Sequence, residues 1–276
     1  MPLASMPGGG DIFFESKGDG APVMLVAGLG GASDYWLPQA DEFAKRYRVI
    51  LHDHRGTGRS SRDLIDYTVS LLTDDMVRLM DHLSVERAHV VGHSTGAAMT
   101  EDMALRYPER LASAVLYAGW ARTDAYFRRI FDIRKELLSK SGAAAYVKTT
   151  SALLYSRDWF NSNVSAIEAG ELAAMDLLPP AEIMLRRIDA ICSFNPGEAL
   201  RGIRCRSLIV CAEDDILTPA EYSREMAELI PEAQTWFFEQ GGHAVSQTAP
   251  LAFNRVVMSY LDAAIEDKPW QAHGDA

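Results

Sequence analysis

Ala88-His89-Val90-Val91-Gly92-His93-Ser94-Thr95-Gly96-Ala97-Ala98 runs from a short apolar segment, through a Gly-x-Ser-x-Gly pentapeptide, into small helix-compatible residues. A strand that becomes a helix within two or three residues forces its turning residue into strained backbone geometry. The side chains two before and two after that residue must be small, because the chain doubles back over them. Gly92 and Gly96 meet that need and leave Ser94 at the tip with its hydroxyl exposed. A bare pentapeptide of this kind also arises by chance. A strand before it and a helix after it make chance a poor account.

On the N-terminal side, residues 11–15 read as a short first strand. Residues 23–27 form a continuous apolar run, as expected of an inner parallel strand covered on both faces, and the run ends in Gly28-Leu29-Gly30-Gly31. Ser33 or Asp34 is placed to cap a helix reaching about Lys45. Residues 48–52 are the next strand, leading into Asp53-His54-Arg55-Gly56-Thr57-Gly58-Arg59-Ser60. Apolar residues at three- and four-residue intervals predict an amphipathic helix over 71–83. The helix after Ser94 stops near Tyr107-Pro108, and residues 114–117 form another strand.

From about Arg122 to Leu200 the alternation of strand and helix breaks, and helical patterns over 125–138, 142–154, 166–177 and 181–191 take its place. It resumes with a strand at 207–211, a helix at 219–230, a strand at 235–238 and a closing helix at 251–265. This pattern predicts a mostly parallel, doubly wound α/β sheet with a helical cap inserted late in the chain. Residues 1–120 and 201–268 would be the two parts of the core, 121–200 the cap, and 269–276 a tail, with fraying expected after Asp267.

With 276 residues, 48% of them hydrophobic, the chain can bury a large core. A net charge of −11 argues against nucleic acid or an anionic membrane surface as a partner. The first ten residues have neither a basic start nor an apolar run, and no segment has the roughly 20 apolar residues that cross a bilayer. Cys192, Cys205 and Cys211 are an odd set without C-x-x-C spacing, which fits thiols in a reducing cytoplasm. No H-E-x-x-H motif, Walker loop or internal repeat is present. The expectation is a cytoplasmic protein acting on a small molecule without metal or organic cofactor. Homo-oligomerisation is left open.

A serine hydroxyl becomes a nucleophile when a base takes its proton and an acid holds the base. Of the seven histidines, His243 stands out, on the Gly-rich loop Gly241-Gly242-His243 after the last strand. His93 reads as a supporting residue beside the serine. His52 and His54 read as packed or hydrogen-bonded, His82 and His89 lie on a helix and at a strand start, and His273 is in the tail. The acid should follow a strand between Ser94 and His243, where Glu213-Asp214-Asp215 offers three carboxylates. Asp215, four residues before Pro219, is favoured. The other two suit a helix entrance, where negative charge is favourable. Two N–H donors for an oxyanion are expected at Thr95, on a helix N-terminus, and at Leu29, in the glycine-rich loop. That loop lacks the G-x-G-x-x-G spacing of a dinucleotide site.

Gly28-Leu29-Gly30-Gly31, Asp53-x-Arg55-Gly56-x-Gly58-x-Ser60, Gly92-His93-Ser94-Thr95-Gly96, Asp215-x-x-x-Pro219 and Gly242-His243 together resemble the α/β-hydrolase superfamily over nearly the whole chain. The order Ser94, Asp215, His243 is the order of that superfamily's triad. Ala27 to Gly31, Tyr35-Trp36-Leu37-Pro38-Gln39, Arg55 to Gly58 and the segments around Arg134 to Leu138, Tyr155 to Trp159 and Leu185 to Ile188 are similar to the aminoacrylate or carbamate hydrolases of bacterial pyrimidine utilisation. The resemblance implies a hydrolase with an acyl-enzyme intermediate. Its substrate would be a small, carboxylate-bearing amide, carbamate or enamine acid in nitrogen-heterocycle catabolism. An enol-lactonase or carboxylester hydrolase is the rival enzymatic reading, and a ligand receptor the non-enzymatic one. Two departures stand out: Ala27-Gly28 replaces the superfamily's common His-Gly, and a serine occupies the elbow where some members of the closer family lack one. Gly28, Trp36, Trp120, Tyr126 and Trp159 are the expected pocket residues. Arg186 or Arg187, ahead of Arg128 and Arg129, is the expected clamp on a substrate carboxylate.

Overall fold

Five strands are buried along nearly their whole length, and such strands are stable only between two layers of helices. The computed structural model describes residues 2–6 and 9–271. It arranges β1 (Leu3–Ser5), β2 (Asp11–Lys17), β3 (Pro22–Val26), β4 (Arg48–His52), β5 (Ala88–His93), β6 (Leu111–Tyr117), β7 (Arg206–Ala212) and β8 (Gln234–Phe238) in one sheet. The strand order is β1-β2-β4-β3-β5-β6-β7-β8. The first two pairings are antiparallel and the remaining five parallel.

Side chains on alternate positions of each strand feed two apolar cores. Val23 and Leu25 of β3 face α1 (Leu37–Phe43) and α10 (Pro250–Ile265), through residues such as Phe43 and Val257. Met24 and Val26 face the opposite layer, made of α2 (Val69–His82), α3 (Thr95–Arg106) and α8 (Ala220–Leu229). Four helices stand between β6 and β7: α4 (Ala125–Leu154), α5 (Arg157–Ser162), α6 (Val164–Leu177) and α7 (Ala181–Ser193). Phe127, Phe131, Tyr146, Ile183 and Ile188 from these helices join the same core as Met76 and Met103. A last short helix, α9 (Val245–Thr248), precedes α10.

The chain leaves β3 toward β4 on one side and returns to β5 on the other. The loops after β3 and β5 therefore diverge and open a crevice at the carboxyl edge of the sheet, where ligands of such sheets bind. The tightness of the second loop explains its glycines. Ser94 has φ 54° and ψ −111°, strained for a residue with a side chain. A Cβ on Gly92 would lie 2.2 Å from the Gly96 carbonyl oxygen, and one on Gly96 2.3 Å from that of Val26.

Several elements differ from the sequence expectation. β1 was not foreseen, because three residues are too few to show a period. The helix expected over 33–45 begins as a 3₁₀ turn at Ser33–Trp36, and the Ser33 hydroxyl donates to Asp53 at 2.7 Å instead of capping. The helices expected over 125–138 and 142–154 continue into each other and break only at Gly142, with φ 82°. Helix α5 was missed. The chain does not fray at Asp267: Trp270 is buried against Trp236 and Tyr260 and donates from Nε1 to Ser259 Oγ at 2.9 Å. His273 and residues 272–276 of the expected tail lie outside the described residues.

Candidate active site

Strand β5 ends at the crevice and delivers Ser94, held by its own N–H donating to the Tyr117 carbonyl at 2.8 Å. Strand β7 delivers Asp215 and β8 delivers His243, both nearly inaccessible. His243 Nδ1 lies 2.8 Å from Asp215 Oδ2. A carboxylate only accepts, so Nδ1 carries a proton and donates it to this contact. The other oxygen of Asp215 accepts from the Leu217 and Thr218 N–H groups at 2.8 and 3.0 Å. Thr218 Oγ1 sits 3.0 Å from Asp215 Oδ2 and 3.1 Å from His243 Nδ1. Asp214 points elsewhere and accepts the Gly242 N–H at 2.8 Å, bracing the histidine loop.

Ser94, His243, Gly28 and Leu29 line one cavity of about 390 Å³ with mostly apolar walls. Ser94 Oγ makes no hydrogen bond to His243 Nε2 here. In free enzymes such contacts are often long and tighten when substrate arrives. Leu29 lines the cavity and Thr95 directly follows Ser94, and neither the Leu29 nor the Thr95 N–H donates to a partner among the described residues. Thr95 opens α3, where unsatisfied amides and the helix dipole favour negative charge.

Neighbours hold this arrangement, among them His93, which the sequence marked as a supporting residue. The His243 carbonyl accepts from His93 Nε2 at 3.0 Å and from the Tyr117 hydroxyl at 2.8 Å. His93 stacks on Tyr35 with ring centroids 4.5 Å apart. Burial, aided by the neighbouring His243, keeps the His93 pKa well below the usual histidine value, so its ring is neutral. Asp53 ties the loop after β4 to the loop after β3. It accepts from Ser33 N at 2.8 Å and from Arg59 Nε at 2.8 Å. Asp53 and Arg59 are close in sequence, but spacing does not mark the other pairs as linked, since those partners lie 20 or more residues apart.

The expected pocket residues divide. Trp159 and Gly28 line the cavity. Trp36 does not; it is fully buried on the α1–α10 side and packs on Phe253. Trp120 is also a core residue, packed on Phe127, with its Nε1 donating to the Phe194 carbonyl at 3.2 Å. Tyr126 lies outside the cavity, largely exposed, and its hydroxyl donates to the Ile216 carbonyl at 2.6 Å. Arg186 faces solvent and pairs with Asp66 at 3.0 Å. Arg128 donates from Nε to the Thr123 carbonyl at 3.1 Å, and Arg129 is exposed.

Arg187 points inward, but to backbone and not into the cavity. Its Nη1 donates to the Arg55 carbonyl at 2.7 Å and its Nη2 to the Leu29 carbonyl at 3.0 Å. Burial pushes its pKa down to about 10, which leaves it charged at neutral pH. This side chain of α7 thus grips the loop that presents the Leu29 amide. Helix α4 is fastened to the loop that carries His243 as well, because the Ala244 N–H donates to the Leu154 carbonyl at 3.0 Å.

Residues 21–250 match the family described as the alpha/beta hydrolase fold. The chain is 43% identical over 244 residues to the "Putative carbamate hydrolase RutD" of Caulobacter sp. (strain K31), covering 88% of this chain and 91% of that one. It is 38% identical over 260 residues to the protein of the same name from Azorhizobium caulinodans, covering 94% and 98%. Among solved structures, an α/β-hydrolase enzyme from a Medee basin deep-sea metagenome library superposes with TM-score 0.89 at 21% identity, over 100% of this chain and 99% of that one. The enol-lactonase from Burkholderia xenovorans LB400 superposes with TM-score 0.84 at 22% identity, over 95% and 100%. At these identities the structural likenesses speak for the fold alone. No described helix is long and apolar enough to cross a membrane, and no group of three or more potential metal ligands occurs among the described residues.

Proposed function

We infer the function from one premise: the chain belongs to the α/β-hydrolase family, is a hydrolase, and stands among relatives named as carbamate hydrolases. From there we propose a cytoplasmic serine hydrolase acting on a small, carboxylate-bearing substrate with a scissile C–N bond, such as an amide, carbamate or enamine acid, in the breakdown of a nitrogen heterocycle. On an amide or carbamate, Ser94 Oγ attacks the carbonyl carbon while His243 Nε2 takes its proton. Asp215 holds the imidazolium through Nδ1–H. The oxyanion rests on the Leu29 and Thr95 amides, which are fixed before reaction and need no reorganisation. His243 then protonates the leaving nitrogen as the C–N bond breaks, giving the acyl-serine. Water, deprotonated by His243, attacks that ester, and the proton returns to Ser94 as the acid departs. No metal or organic cofactor enters these steps.

The observation that carries this reading is the meeting of Ser94, Leu29 and His243 on one cavity, with His243 held from behind by buried Asp215. A fluorophosphonate probe is expected to label Ser94. Turnover of a panel of amides, carbamates, esters and lactones is expected to favour the C–N members. Ser94→Ala should lower kcat by about 10⁶-fold, as in other cooperative triads. Near-wild-type turnover by Ser94→Ala would replace covalent catalysis with direct attack by water. A panel that favours lactones or esters would move the chain to the rival hydrolase reading.

A further inference from the structure

The cavity beside Ser94 is lined by one guanidinium, that of Arg134 in α4, and this charge has no counter-ion among the described residues. Arg134 is 4% exposed. Its Nη2 donates to the Tyr146 hydroxyl at 2.9 Å and to Thr150 Oγ1 at 3.2 Å, both neutral groups. Nε is buried and donates to nothing, and Nη1 also makes no hydrogen bond among the described residues. A guanidinium is a cation, and burying one without an acid beside it leaves its desolvation uncompensated. The other charged residue on the cavity wall, Glu171 of α6, does not pair with it.

The side chain is nonetheless held in place. Its guanidinium carbon lies 5.1 Å from the centroid of Phe131 and 5.0 Å from that of Tyr146, between two aromatic rings. The break at Gly142 makes this possible, since it turns the second half of α4 back so that Tyr146 and Thr150 meet Arg134 from the first half. A preorganised cation with unused donors, on the wall of a cavity that also holds a serine and a histidine, is a receptor for an anion. In a chain of net charge −11 the field favours few anions, so a local cation decides which of them bind.

We propose that Arg134 is the anion subsite of this cavity and receives the carboxylate of a small substrate whose scissile carbonyl lies against Ser94. The second half of that statement rests on the serine-hydrolase reading above. The first half, anion binding by Arg134, does not. Arg134 thereby takes the role that the sequence offered to Arg186 or Arg187, and its specificity acts on the acid end of the substrate and not on the bond cleaved.

The test compares 4-nitrophenyl hydrogen succinate with its neutral counterpart, 4-nitrophenyl methyl succinate. The wild-type enzyme is expected to prefer the acid by at least about 10-fold in kcat/KM. Arg134→Met should abolish that preference, a loss of at least about 10-fold, mainly through KM, as expected when a charged hydrogen-bonding group is removed. Arg134→Lys, which keeps the charge without the planar fork, should retain part of the preference. Free succinate should raise the melting temperature of the wild type and not that of Arg134→Met. Equal losses on both esters, or a preference that survives Arg134→Met, would overturn the subsite. If neither ester turns over and the probe leaves Ser94 unlabelled, the serine reading falls by itself. The succinate shift then still decides: its loss in Arg134→Met upholds the subsite, and equal shifts in both proteins overturn it.

Discussion

Asp214 and Asp215 are adjacent and chemically identical, and their surroundings separate them. Asp215 meets His243 Nδ1 at 2.8 Å, whereas Asp214 accepts a backbone amide of the histidine loop. Asp215→Asn is expected to lower kcat by about 10⁴-fold, because an amide there supports the wrong tautomer. Asp214→Asn should cost less than about 10-fold. Steady-state rates on one activated ester rank the two, and the reverse order would reassign the acid. Glu101 presents a different problem. It is fully buried in α3, and neither of its oxygens has a partner. Burial, followed by the nearby Asp102, raises its pKa well above the carboxylate range, so its folded form favours the neutral acid. A raised folded pKa costs stability as pH climbs above the unfolded value near 4.5. Glu101→Gln should therefore raise the melting temperature more at pH 8 than at pH 5. An equal shift at both values would show that Glu101 is not held neutral. At this scale the pairing of Asp215 with His243 was legible, because each follows a separate strand, as does Ser94. The pocket was less so. Trp36 and Trp120 read the same as pocket aromatics and as core aromatics, and only packing tells them apart.

The elements act through their ends. α7 reaches the glycine loop by one side chain, Arg187, which donates to the Leu29 carbonyl at 3.0 Å. Arg187→Met should lower kcat about 10- to 100-fold, less than deleting an oxyanion donor outright, because the Leu29 amide remains but loses its brace. The discriminating measurement is affinity for a boronic acid, which mimics the tetrahedral state, against affinity for the product acid. The boronate should weaken more. Equal weakening would reduce Arg187 to a cap fastening. At the elbow, Gly96→Ala would bring a Cβ to 2.3 Å from the Val26 carbonyl oxygen. Overpacking against backbone should cost on the order of 3 kcal/mol, read as a lower urea midpoint. The need for glycine there was visible in the motif. The partner of Arg187 was not, since periodicity shows that a helix has a buried face without saying what that face meets.

Across the whole molecule, buried histidines set the response to acid. Burial lowers the pKa of His52 and His89 to about 4 each. His54 and His93 are pulled well below the usual value, first by burial and then by neighbouring positive charge. These rings are neutral when folded and charge below about pH 6.5 when unfolded, so the unfolded chain binds more protons between those values. The contribution of these histidines to stability is full above about pH 6.5 and is lost as pH falls toward 4, with His52 and His89 each accounting for roughly 3 kcal/mol across that window. Urea midpoints should drop steeply between pH 6.5 and 4.5, and His89→Gln should flatten part of that drop. A flat profile would show that these rings already accept protons in the folded state.

The sequence by itself determined the α/β order and the strained elbow at Ser94. It also determined the placing of Asp215 and His243 after later strands, because apolar periodicity, glycine spacing and chain order are local or one-dimensional signals. The tertiary structure alone decided which side chains share the cavity. Arg186 and Arg187 are neighbours in sequence, yet one meets solvent and the other backbone. Arg134 meets Tyr146 and Thr150 only because α4 breaks at Gly142. Side-chain direction depends on where whole elements pack, and that is fixed by contacts between residues far apart along the chain.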